Sequence, residues 1–297
     1  MTDSGTRVVF VNGEFCREAD AKISVFDHAV LYGDGVFDTC IAWRGRIFKL
    51  EQHLDRLFRS LLMVKLDPPY PRERLRSLIL DTVRRNELQD AYVKCLITRG
   101  VTAEPLLAIA GSRPGCVIFA RPFLYIVSPE RIRSGVRVKT AATRRVPTAS
   151  LDPRIKSLNY LNIVLAKLEV EAAGADEAIL LDTEGHVTEG PGYNIFAVHG
   201  NRITTPRDGI LEGITRQTVI ELAPNLGFTV STEKLDLYDL YTADEVFLSS
   251  TAGGLIPVVQ VDGRNVGAGS PGPVVASLTE AYEELLTSEE YGTPIYD

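Results

Sequence analysis

The 297-residue sequence has no long apolar run, no surplus of basic residues and no recognisable cysteine motif. A membrane-spanning helix needs roughly 18 or more consecutive apolar residues, and no such run occurs. Nucleic-acid-binding proteins usually carry a basic face, whereas the formal net charge of this chain is -7. The sequence therefore predicts neither a membrane nor a nucleic acid as the main partner, and it favours a small molecule.

The chain has four cysteines: Cys16, Cys40, Cys95 and Cys116. They are far apart and follow neither a CxxC nor a Cys/His metal pattern. We expect reduced, buried thiols and no metal site. Residues 1–7 are polar and lead directly into an apolar strand pattern, without the charged and apolar regions of a secretion signal. A cytoplasmic enzyme is expected.

The length suits two compact domains, because domains usually contain about 100–200 residues. With 45% hydrophobic residues, the chain has enough apolar surface for a sizeable core. We predict a small α+β domain over residues 1–121, an interdomain segment over 122–135 and a large strand-rich α/β domain over 136–297. No internal repeat or low-complexity tract interrupts this division.

Turn signals and apolar spacing predict the elements of the first domain. Asn12-Gly13 is the strongest short signal for a tight hairpin. A long loop, residues 100–115, separates the last two strands, and loops of this length often carry function. The predicted strands and helices are residues 8–11, 36–43, 47–50, 51–62, 72–86, 92–98 and 116–120.

The second domain alternates short strands with two helices. One helix is predicted immediately after Lys156, over residues 157–172, with Leu158, Leu161, Leu165 and Leu168 as its apolar face. The other covers residues 215–223, and the tail from 288 to 297 is expected to be surface chain. The predicted strands are residues 136–140, 178–181, 193–198, 202–205 and 245–248.

Lys156 is the first candidate for chemistry, because it precedes a predicted helix in a chain whose positive charge comes mainly from arginine. A lysine can lose its charge when it is buried, whereas an arginine cannot, so lysine is the residue that forms Schiff bases. Most lysines, however, are solvated surface charges. Lys156 by itself therefore indicates no particular reaction.

Three further segments could bind a flat, phosphorylated ligand. Thr188-Glu189-Gly190-Pro191-Gly192-Tyr193-Asn194 places an acidic residue between glycines, where a backbone can approach a ring closely. Gly209 to Arg216 ends a loop and opens a helix, whose first amides can bind an anion. Ser249 to Gly254 is a turn of small residues with hydroxyls. Each segment has an ordinary structural use as well, such as a hairpin or a helix cap.

In this order, the segments resemble the fold-type IV pyridoxal-phosphate enzymes. That family contains branched-chain aminotransferases, D-amino-acid aminotransferases, (R)-selective amine transaminases and aminodeoxychorismate lyase. The resemblance extends from Phe10-Val11-Asn12-Gly13 to Val261-Asp262-Gly263. It implies pyridoxal 5'-phosphate as cofactor, an α/β fold with a strand-rich pseudo-barrel as the large domain, and at least a homodimer.

The resemblance also implies roles for single residues. Lys156 corresponds to the catalytic lysine that holds the cofactor as a Schiff base, Glu189 to the partner of the pyridine nitrogen and Arg56 to a phosphate ligand. Leu211 corresponds to the residue that packs on the ring, and Tyr160 to a tyrosine that binds the ring hydroxyl. The remaining implied cofactor contacts, around the phosphate, are Gly213, Ile214, Thr215 and Thr251.

The implied reaction is an exchange in two halves. An amine or amino acid displaces Lys156 from the cofactor, the freed lysine moves a proton, a keto product leaves, and a 2-keto acid accepts the nitrogen. The expected pocket is largely apolar and suits a hydrophobic amine or amino acid. Its candidate wall residues, for which core packing is the alternative, are Tyr32, Phe37, Thr39, Tyr92 and Ala252.

The signatures of the subfamilies are mixed. Thr251 to Pro257 and the spacing from Arg145 to Pro153 are most similar to the (R)-amine transaminases, which are the leading interpretation. Tyr32-Gly33-Asp34-Gly35-Val36-Phe37 is more similar to the branched-chain and D-amino-acid enzymes. The loop after Gly100 lacks the arginine that usually binds the substrate carboxylate, although Arg113 follows at its far end.

Two other functions stay open at this point. An aminodeoxychorismate-type lyase would use the same lysine but release pyruvate instead of transferring nitrogen. A non-catalytic scaffold with the same fold is disfavoured, because it has no need of Lys156, Glu189 and Arg56 together.

Overall fold

The computed structural model describes residues 7–104 and 107–296, and the chain forms two compact units. Unit 1 contains the described residues up to Leu124, the short segment Ile155–Asn159 and the described residues from Leu286 onward. Unit 2 contains Tyr125–Arg154 and Tyr160–Leu285. Among the helices of the described ranges, none combines the length and apolar character that crossing a bilayer requires.

Unit 1 is built on an antiparallel sheet of seven described strands. The predicted hairpin at its start is confirmed: Asn12 and Gly13 both have positive φ, 49° and 114°, as a tight two-residue turn requires. The strands are β1 (Val8–Val11), β2 (Glu14–Arg17), β3 (Gly35–Trp43), β4 (Arg46–Phe48), β5 (Ala91–Val101), β6 (Arg113–Pro122) and β16 (Gly292–Pro294). Their order across the sheet is β16-β4-β3-β5-β6-β1-β2.

The helices of unit 1 are α1 (His28–Tyr32), α2 (Leu50–Met63) and α3 (Arg72–Arg85), with a short 3-10 turn at Glu18–Asp20. The two longer helices contain the apolar spacing that predicted them, and their buried leucines form one core with the inward side chains of β3, β5 and β6. Side chains alternate between the two faces of a strand, so every second residue of β3 faces this core. Three cysteines, Cys40, Cys95 and Cys116, belong to it, and Cys16 is half-buried.

The tail was predicted as surface chain, and this was wrong. Gly292–Pro294 pairs with β4 as the edge strand β16, and Ile295 is fully buried in the core of unit 1. The segment is too short and too polar to be recognised as a strand from its own pattern. Its position comes from backbone hydrogen bonds to residues more than 200 positions earlier, such as Ile295 N–H to Gly45 O at 2.9 Å.

Unit 2 contains a mixed sheet of nine described strands. The strands are β7 (Val136–Thr140), β8 (Glu177–Ile179), β9 (Glu189–Gly190), β10 (Tyr193–His199), β11 (Arg202–Pro206), β12 (Thr229–Glu233), β13 (Glu245–Ser250), β14 (Gly254–Val261) and β15 (Arg264–Asn265). The main path is β12-β11-β10-β13-β14-β7-β8, in which β11–β12, β14–β7 and β7–β8 are parallel. The helices are α4 (Pro129–Ser134), α5 (Leu161–Ala172), α6 (Ile214–Leu222), α7 (Leu237–Tyr241) and α8 (Pro273–Thr287), with a 3-10 turn at Ala223–Leu226.

The helix predicted to begin directly after Lys156 begins later, at Leu161, and buries a different face. Residues 155–159 form no helix because Ser157 forms a β-bridge with Val36, Leu158 N–H donates to Gly35 O at 3.0 Å, and Ser157 N–H donates to Ile155 O at 2.8 Å. The side of α5 that packs on unit 2 carries Ile163, Ala166 and Val170. The predicted apolar face was therefore wrong, since three of its four leucines are exposed: Leu161, Leu165 and Leu168.

The strand pair around the long loop is also longer than predicted, since β5 continues to Val101 and β6 begins at Arg113. Part of that loop, residues 105–106, lies outside the described residues. The sequence-based domain boundaries stay predictions. The compact units differ from them because Ile155–Asn159 and the tail, which lie in the second predicted domain, pair with strands of unit 1.

Candidate active site

Lys156 lies on the short segment Ile155–Asn159 of unit 1, at a tight turn closed by Ser157 N–H to Ile155 O at 2.8 Å, and its own backbone groups are held as well. Its carbonyl oxygen accepts a hydrogen bond from Phe37 N–H at 2.9 Å, and its own N–H donates to Ser60 Oγ at 3.1 Å. These two bonds attach the lysine to β3 and to α2. A backbone held by hydrogen bonds in this way restricts where the side chain can reach.

The half-buried side chain of Lys156 extends to the ring of Phe37, with Nζ 4.7 Å from the ring centroid. A second ammonium, that of Lys94, lies 4.1 Å from the centroid of the same ring. Both distances are within the range of a cation–π contact. Burial lowers the pKa of Lys94, and the charge of Lys156 lowers it further.

Phe37 belongs to one face of the unit 1 sheet, opposite the face that packs on α2 and α3. Phe37 and Thr39 alternate with core residues on β3, and the register pairs Thr39 with Lys94 and Ile41 with Tyr92. The fold thus brings three of the predicted wall residues, Phe37, Thr39 and Tyr92, onto one surface. Tyr32 lies elsewhere, on α1, where its ring contacts His28 edge-on. Arg113 is exposed at the start of β6.

Arg56 is not a surface residue, although a position on an amphipathic helix is the ordinary interpretation of such an arginine. It is 4% exposed and forms a two-point ion pair with Asp38, through Nε to Oδ2 at 2.8 Å and Nη2 to Oδ1 at 2.9 Å. His53 Nδ1 lies 2.7 Å from the same carboxylate, which can only accept, so the ring N–H donates. The cluster fixes the plane of the guanidinium.

The charges in this cluster follow from burial and contact. Burial alone would raise the pKa of Asp38, but Arg56 and His53 outweigh this effect and hold the pKa far below its ordinary value. Burial lowers the pKa of His53 despite the opposing carboxylate. The cluster therefore consists of an ionised aspartate, an arginine and a neutral histidine at physiological pH.

In unit 2, Glu189 is buried and held by three groups. Its Oε1 accepts from Arg145 Nε at 3.0 Å, and its Oε2 accepts from Leu211 N–H at 2.8 Å and from Asn194 Nδ2 at 3.4 Å. Asn194 Nδ2 also donates to Leu211 O at 2.9 Å. Glu189 is therefore fixed in position by the strand β10 and by the loop that leads to α6.

The first turn of α6 contains the other predicted phosphate contacts. Gly213 is its N-cap and supplies no side-chain cap, and Ile214 and Thr215 follow as buried residues. Tyr282 of α8 hydrogen-bonds the side chain of Thr215, and burial raises the pKa of that tyrosine to about 12. The helix packs against β13, where Ser249 pairs with Asn194 across the strands.

Three other predicted site residues also lie in unit 2: Thr251, Ala252 and Tyr160. Thr251 follows β13 directly and is half-buried, and the next residue, Ala252, is buried with its carbonyl bonded to Ile126 N–H at 3.0 Å. Tyr160 is half-buried at the N-cap of α5.

Several residues with evident structural roles in these clusters were missed by the sequence argument. Asp38 was detectable, because it is a charged residue at a position of β3 that alternates with Val36 and Cys40 into the core. His53, like Arg56 and Ser60, lies on the apolar face of α2 at helical spacing, which is also a signal. Arg145 and Lys94 gave no local signal, since their partners are far away in sequence.

Pyridoxal phosphate, which the resemblance implies, fits the groups present. Ser249 Oγ is buried and has no hydrogen-bond partner among the described residues, and such a hydroxyl usually binds a ligand or water. The amides at the start of α6 suit a phosphate, and the fixed carboxylate of Glu189 suits a protonated pyridine nitrogen. In unit 1, Lys156 carries a primary amine of the kind that forms a Schiff base with an aldehyde.

Known aminotransferases match this chain over most of its length. The family model for class IV amino-transferases matches residues 35–261. A protein of Methanocaldococcus jannaschii, named provisionally as a branched-chain-amino-acid aminotransferase, is 42% identical over 97% of this chain and 99% of its own. The branched-chain-amino-acid aminotransferase of Pseudomonas aeruginosa is 35% identical over 95% and 94%.

The fold is shared with solved structures as well. The T.th. branched-chain amino acid aminotransferase with pyridoxamine 5'-phosphate has a TM-score of 0.91 and 35% identity, over 98% of this chain and 99% of that one. The same enzyme has been solved with N-(5'-phosphopyridoxyl)-L-glutamate, with a TM-score of 0.92 and 35% identity over 99% and 100%. The predicted α/β fold and the predicted cofactor are thereby confirmed. The chain belongs to the class IV aminotransferases, pyridoxal-phosphate-dependent enzymes of fold type IV.

Proposed function

We propose that this aminotransferase takes branched-chain L-amino acids as donors and a 2-oxo acid as acceptor. The observation that carries the proposal is the similarity, along nearly the full length of both chains, to proteins named as branched-chain aminotransferases. The adduct in one neighbour contains L-glutamate, so glutamate and its 2-oxo acid are proposed as the other substrate pair. The sheet face with Phe37, Thr39 and Tyr92 supports an apolar donor side chain.

The relatives support this alternative better than the leading interpretation of the sequence, an (R)-selective amine transaminase. The similarity of Thr251 to Pro257 to the amine enzymes is short, whereas the similarity to the branched-chain enzymes covers the chain. Activity as a D-amino-acid aminotransferase or as an aminodeoxychorismate-type lyase would be detected by the experiment described below.

We assign the residues as follows. Lys156 attaches the cofactor, Glu189 binds the pyridine nitrogen, and Arg56 binds the phosphate. The other cofactor contacts are Tyr160, Leu211, Gly213, Ile214, Thr215 and Thr251, and the substrate pocket contains Tyr32, Phe37, Thr39, Tyr92 and Ala252.

Bound pyridoxal phosphate supplies an aldehyde that takes up the amino group and a ring that withdraws electrons from the reacting carbon. The protein controls the protons. Glu189, fixed by Arg145, Asn194 and the amide of Leu211, is positioned as the anion that keeps the ring nitrogen protonated. When it is not attached to the cofactor, Lys156 must be neutral at Nζ to remove a proton from the substrate carbon. The ammonium group then gives up a proton within the same half of the exchange, so Nζ is neutral again when the keto product leaves.

Donor specificity tests the proposal directly. The holoenzyme is incubated with L-leucine, D-alanine or (R)-1-phenylethylamine, each with 2-oxoglutarate or pyruvate as acceptor, and the keto product and the new amino acid are quantified. We expect L-leucine with 2-oxoglutarate to give the highest kcat/KM, by at least about tenfold, because a pocket shaped for one enantiomer and side chain discriminates by roughly that amount or more.

The other outcomes would each name a different enzyme. Preference for D-alanine or for (R)-1-phenylethylamine, with L-leucine inactive, would overturn the branched-chain assignment but not the family. The lyase alternative requires aminodeoxychorismate as substrate, and pyruvate release from it without a nitrogen acceptor would replace transamination by elimination.

We also propose that the enzyme is a homodimer, as the resemblance implies. On α5 the apolar residues Leu161, Val164, Leu165 and Leu168 form one exposed stripe at helical spacing, and Leu161 is 70% exposed. In unit 1, the segment from Ile23 to Leu31 contains further exposed apolar side chains. Monomers seldom expose such contiguous apolar surface, which is typical of an interface. A second copy of the chain is the occupant that we propose.

Sedimentation velocity tests this dimer. Wild-type protein is expected to sediment as a dimer, and the double variant Leu161→Glu/Leu168→Glu is expected to sediment as a monomer, because two carboxylates would be buried without partners. Tyr238→Glu is the matched control, since Tyr238 is 74% exposed and lies on a different helix, α7. A wild-type monomer at micromolar concentration would contradict the proposal.

A further inference from the structure

Lys94 has an unusual environment for a lysine of unit 1. It is half-buried on β5, and among the described residues no carboxylate lies within ion-pair distance of its ammonium group. The contact of that group is the ring of Phe37, at 4.1 Å. A half-buried cation without a counter-charge is costly, because water solvates it only in part and no anion compensates it.

The ring of Phe37 is shared with Lys156. Since the two Nζ atoms lie 4.1 Å and 4.7 Å from one centroid, they are separated by at most the sum of these distances, about 9 Å. Two ammonium groups repel each other, and at an effective dielectric constant near 20 the repulsion over this distance corresponds to roughly one pKa unit. The mutual effect is already evident at Lys94, whose pKa is lowered by burial and then by Lys156.

The cluster of Asp38, Arg56 and His53 adds no net charge that would offset this repulsion. Asp38 on β3 is the nearby carboxylate of the cluster, and both of its oxygens bind Arg56 while one also binds His53. The cluster as a whole is close to neutral. His53 and Lys156 interact electrostatically as well, and the histidine is held neutral by its burial. Lys94 therefore adds a positive charge that acts on Lys156 from β5.

We propose that Lys94 is a positioning residue that favours the uncharged form of the Lys156 amine by repulsion across the ring of Phe37. The inference rests on the proposed role of Lys156 as the cofactor-binding lysine. An uncharged amine is required both to attach the cofactor and to accept the substrate's proton, so Lys94 shifts the pH range in which the enzyme works by about one unit towards lower pH. Lys94 acts through Lys156 and forms no bond to the reacting atoms.

The test is a spectroscopic pH titration of the holoenzyme. Protonation of the nitrogen that links Lys156 to the cofactor changes the visible absorption of the cofactor, so the midpoint reports the local charge. In Lys94→Met the midpoint is expected to rise by about one pH unit, and in Lys94→Arg, which keeps the charge, it is expected to stay within roughly 0.3 unit of wild type. Lys22→Met, at an exposed position, is the control for loss of a positive charge and is expected to change nothing.

A second measurement uses unmodified protein, in case Lys94→Met does not fold. Salt weakens repulsion between partly exposed charges, so the wild-type midpoint is expected to rise from low to high salt, and the midpoint of Lys94→Gln is expected to respond less. An unchanged midpoint in Lys94→Met, or an equal rise in Lys94→Arg, would overturn the inference. A visible band that persists in Lys156→Ala would instead overturn the assignment of Lys156, so the two failures are distinguishable.

Discussion

Lys156→Ala is expected to abolish transamination, with kcat/KM lowered roughly 10⁴-fold or more, because the variant loses both the amine that attaches the cofactor and the group that moves the proton. The cofactor's visible, lysine-dependent absorption band should disappear, and added pyridoxal phosphate should be removable by gel filtration. The measurements are steady-state kinetics with L-leucine and 2-oxoglutarate and absorption spectra before and after filtration.

The variant should nevertheless fold. The interactions that hold residue 156 in place are backbone bonds to Phe37 and Ser60, which alanine keeps. Its free energy of unfolding is therefore expected to differ by less than about 1 kcal/mol from that of the wild-type apoenzyme. Lys22→Ala should retain full activity. Retention of more than one per cent of wild-type kcat by Lys156→Ala would be incompatible with the assigned role.

Asp38→Ala is expected to have the largest effect on stability, lowering the free energy of unfolding by about 3–5 kcal/mol. The substitution leaves Arg56 buried at 4% exposure without its two-point partner, and it leaves His53 without an acceptor. The affinity for pyridoxal phosphate should fall as well, because the guanidinium that we assign to the phosphate loses the group that orients it. Urea unfolding and a fluorescence titration with the cofactor measure the two effects.

Asp55→Asn is the matched control. Asp55 also pairs with an arginine, Arg72, at 2.7 Å, but its side chain is 57% exposed, so the loss should stay below about 1 kcal/mol. If both substitutions cost the same, the buried cluster would have no special importance for the fold.

The same cluster predicts a pH dependence. The folded-state pKa of Asp38 lies well below the unfolded value, which is about 3.9 for an aspartate. Its contribution to stability is therefore complete above that value and is lost as the pH falls below it towards the folded pKa. In Asp38→Asn this part of the acid dependence should be missing, which urea unfolding between neutral and acidic pH can detect.

Local patterns in the sequence were sufficient to predict most strands and helices of unit 1. The Asn12-Gly13 turn and the amphipathic spacing of α2 and α3 depend on neighbouring residues, so one sequence contains the whole signal. The cofactor could also be predicted from the sequence, because the segments around Glu189, Gly213 and Thr251 occur in an order that is typical of the family. The substrate class could not be predicted, since the short segments resemble more than one subfamily and only similarity over the full chain favours one of them.

The sequence by itself determined the family, the cofactor and the identity of the proposed cofactor residues, because these depend on residue type and order. The tertiary structure decided the start of α5, the burial of the tail, and the pairs Asp38–Arg56, Arg145–Glu189 and Lys94–Lys156. These features depend on backbone pairing and on burial between residues far apart in the chain, for instance 44 positions for Arg145 and Glu189. Such contacts leave no local pattern, since the free energy that selects them comes from the folded environment and not from the neighbouring residues.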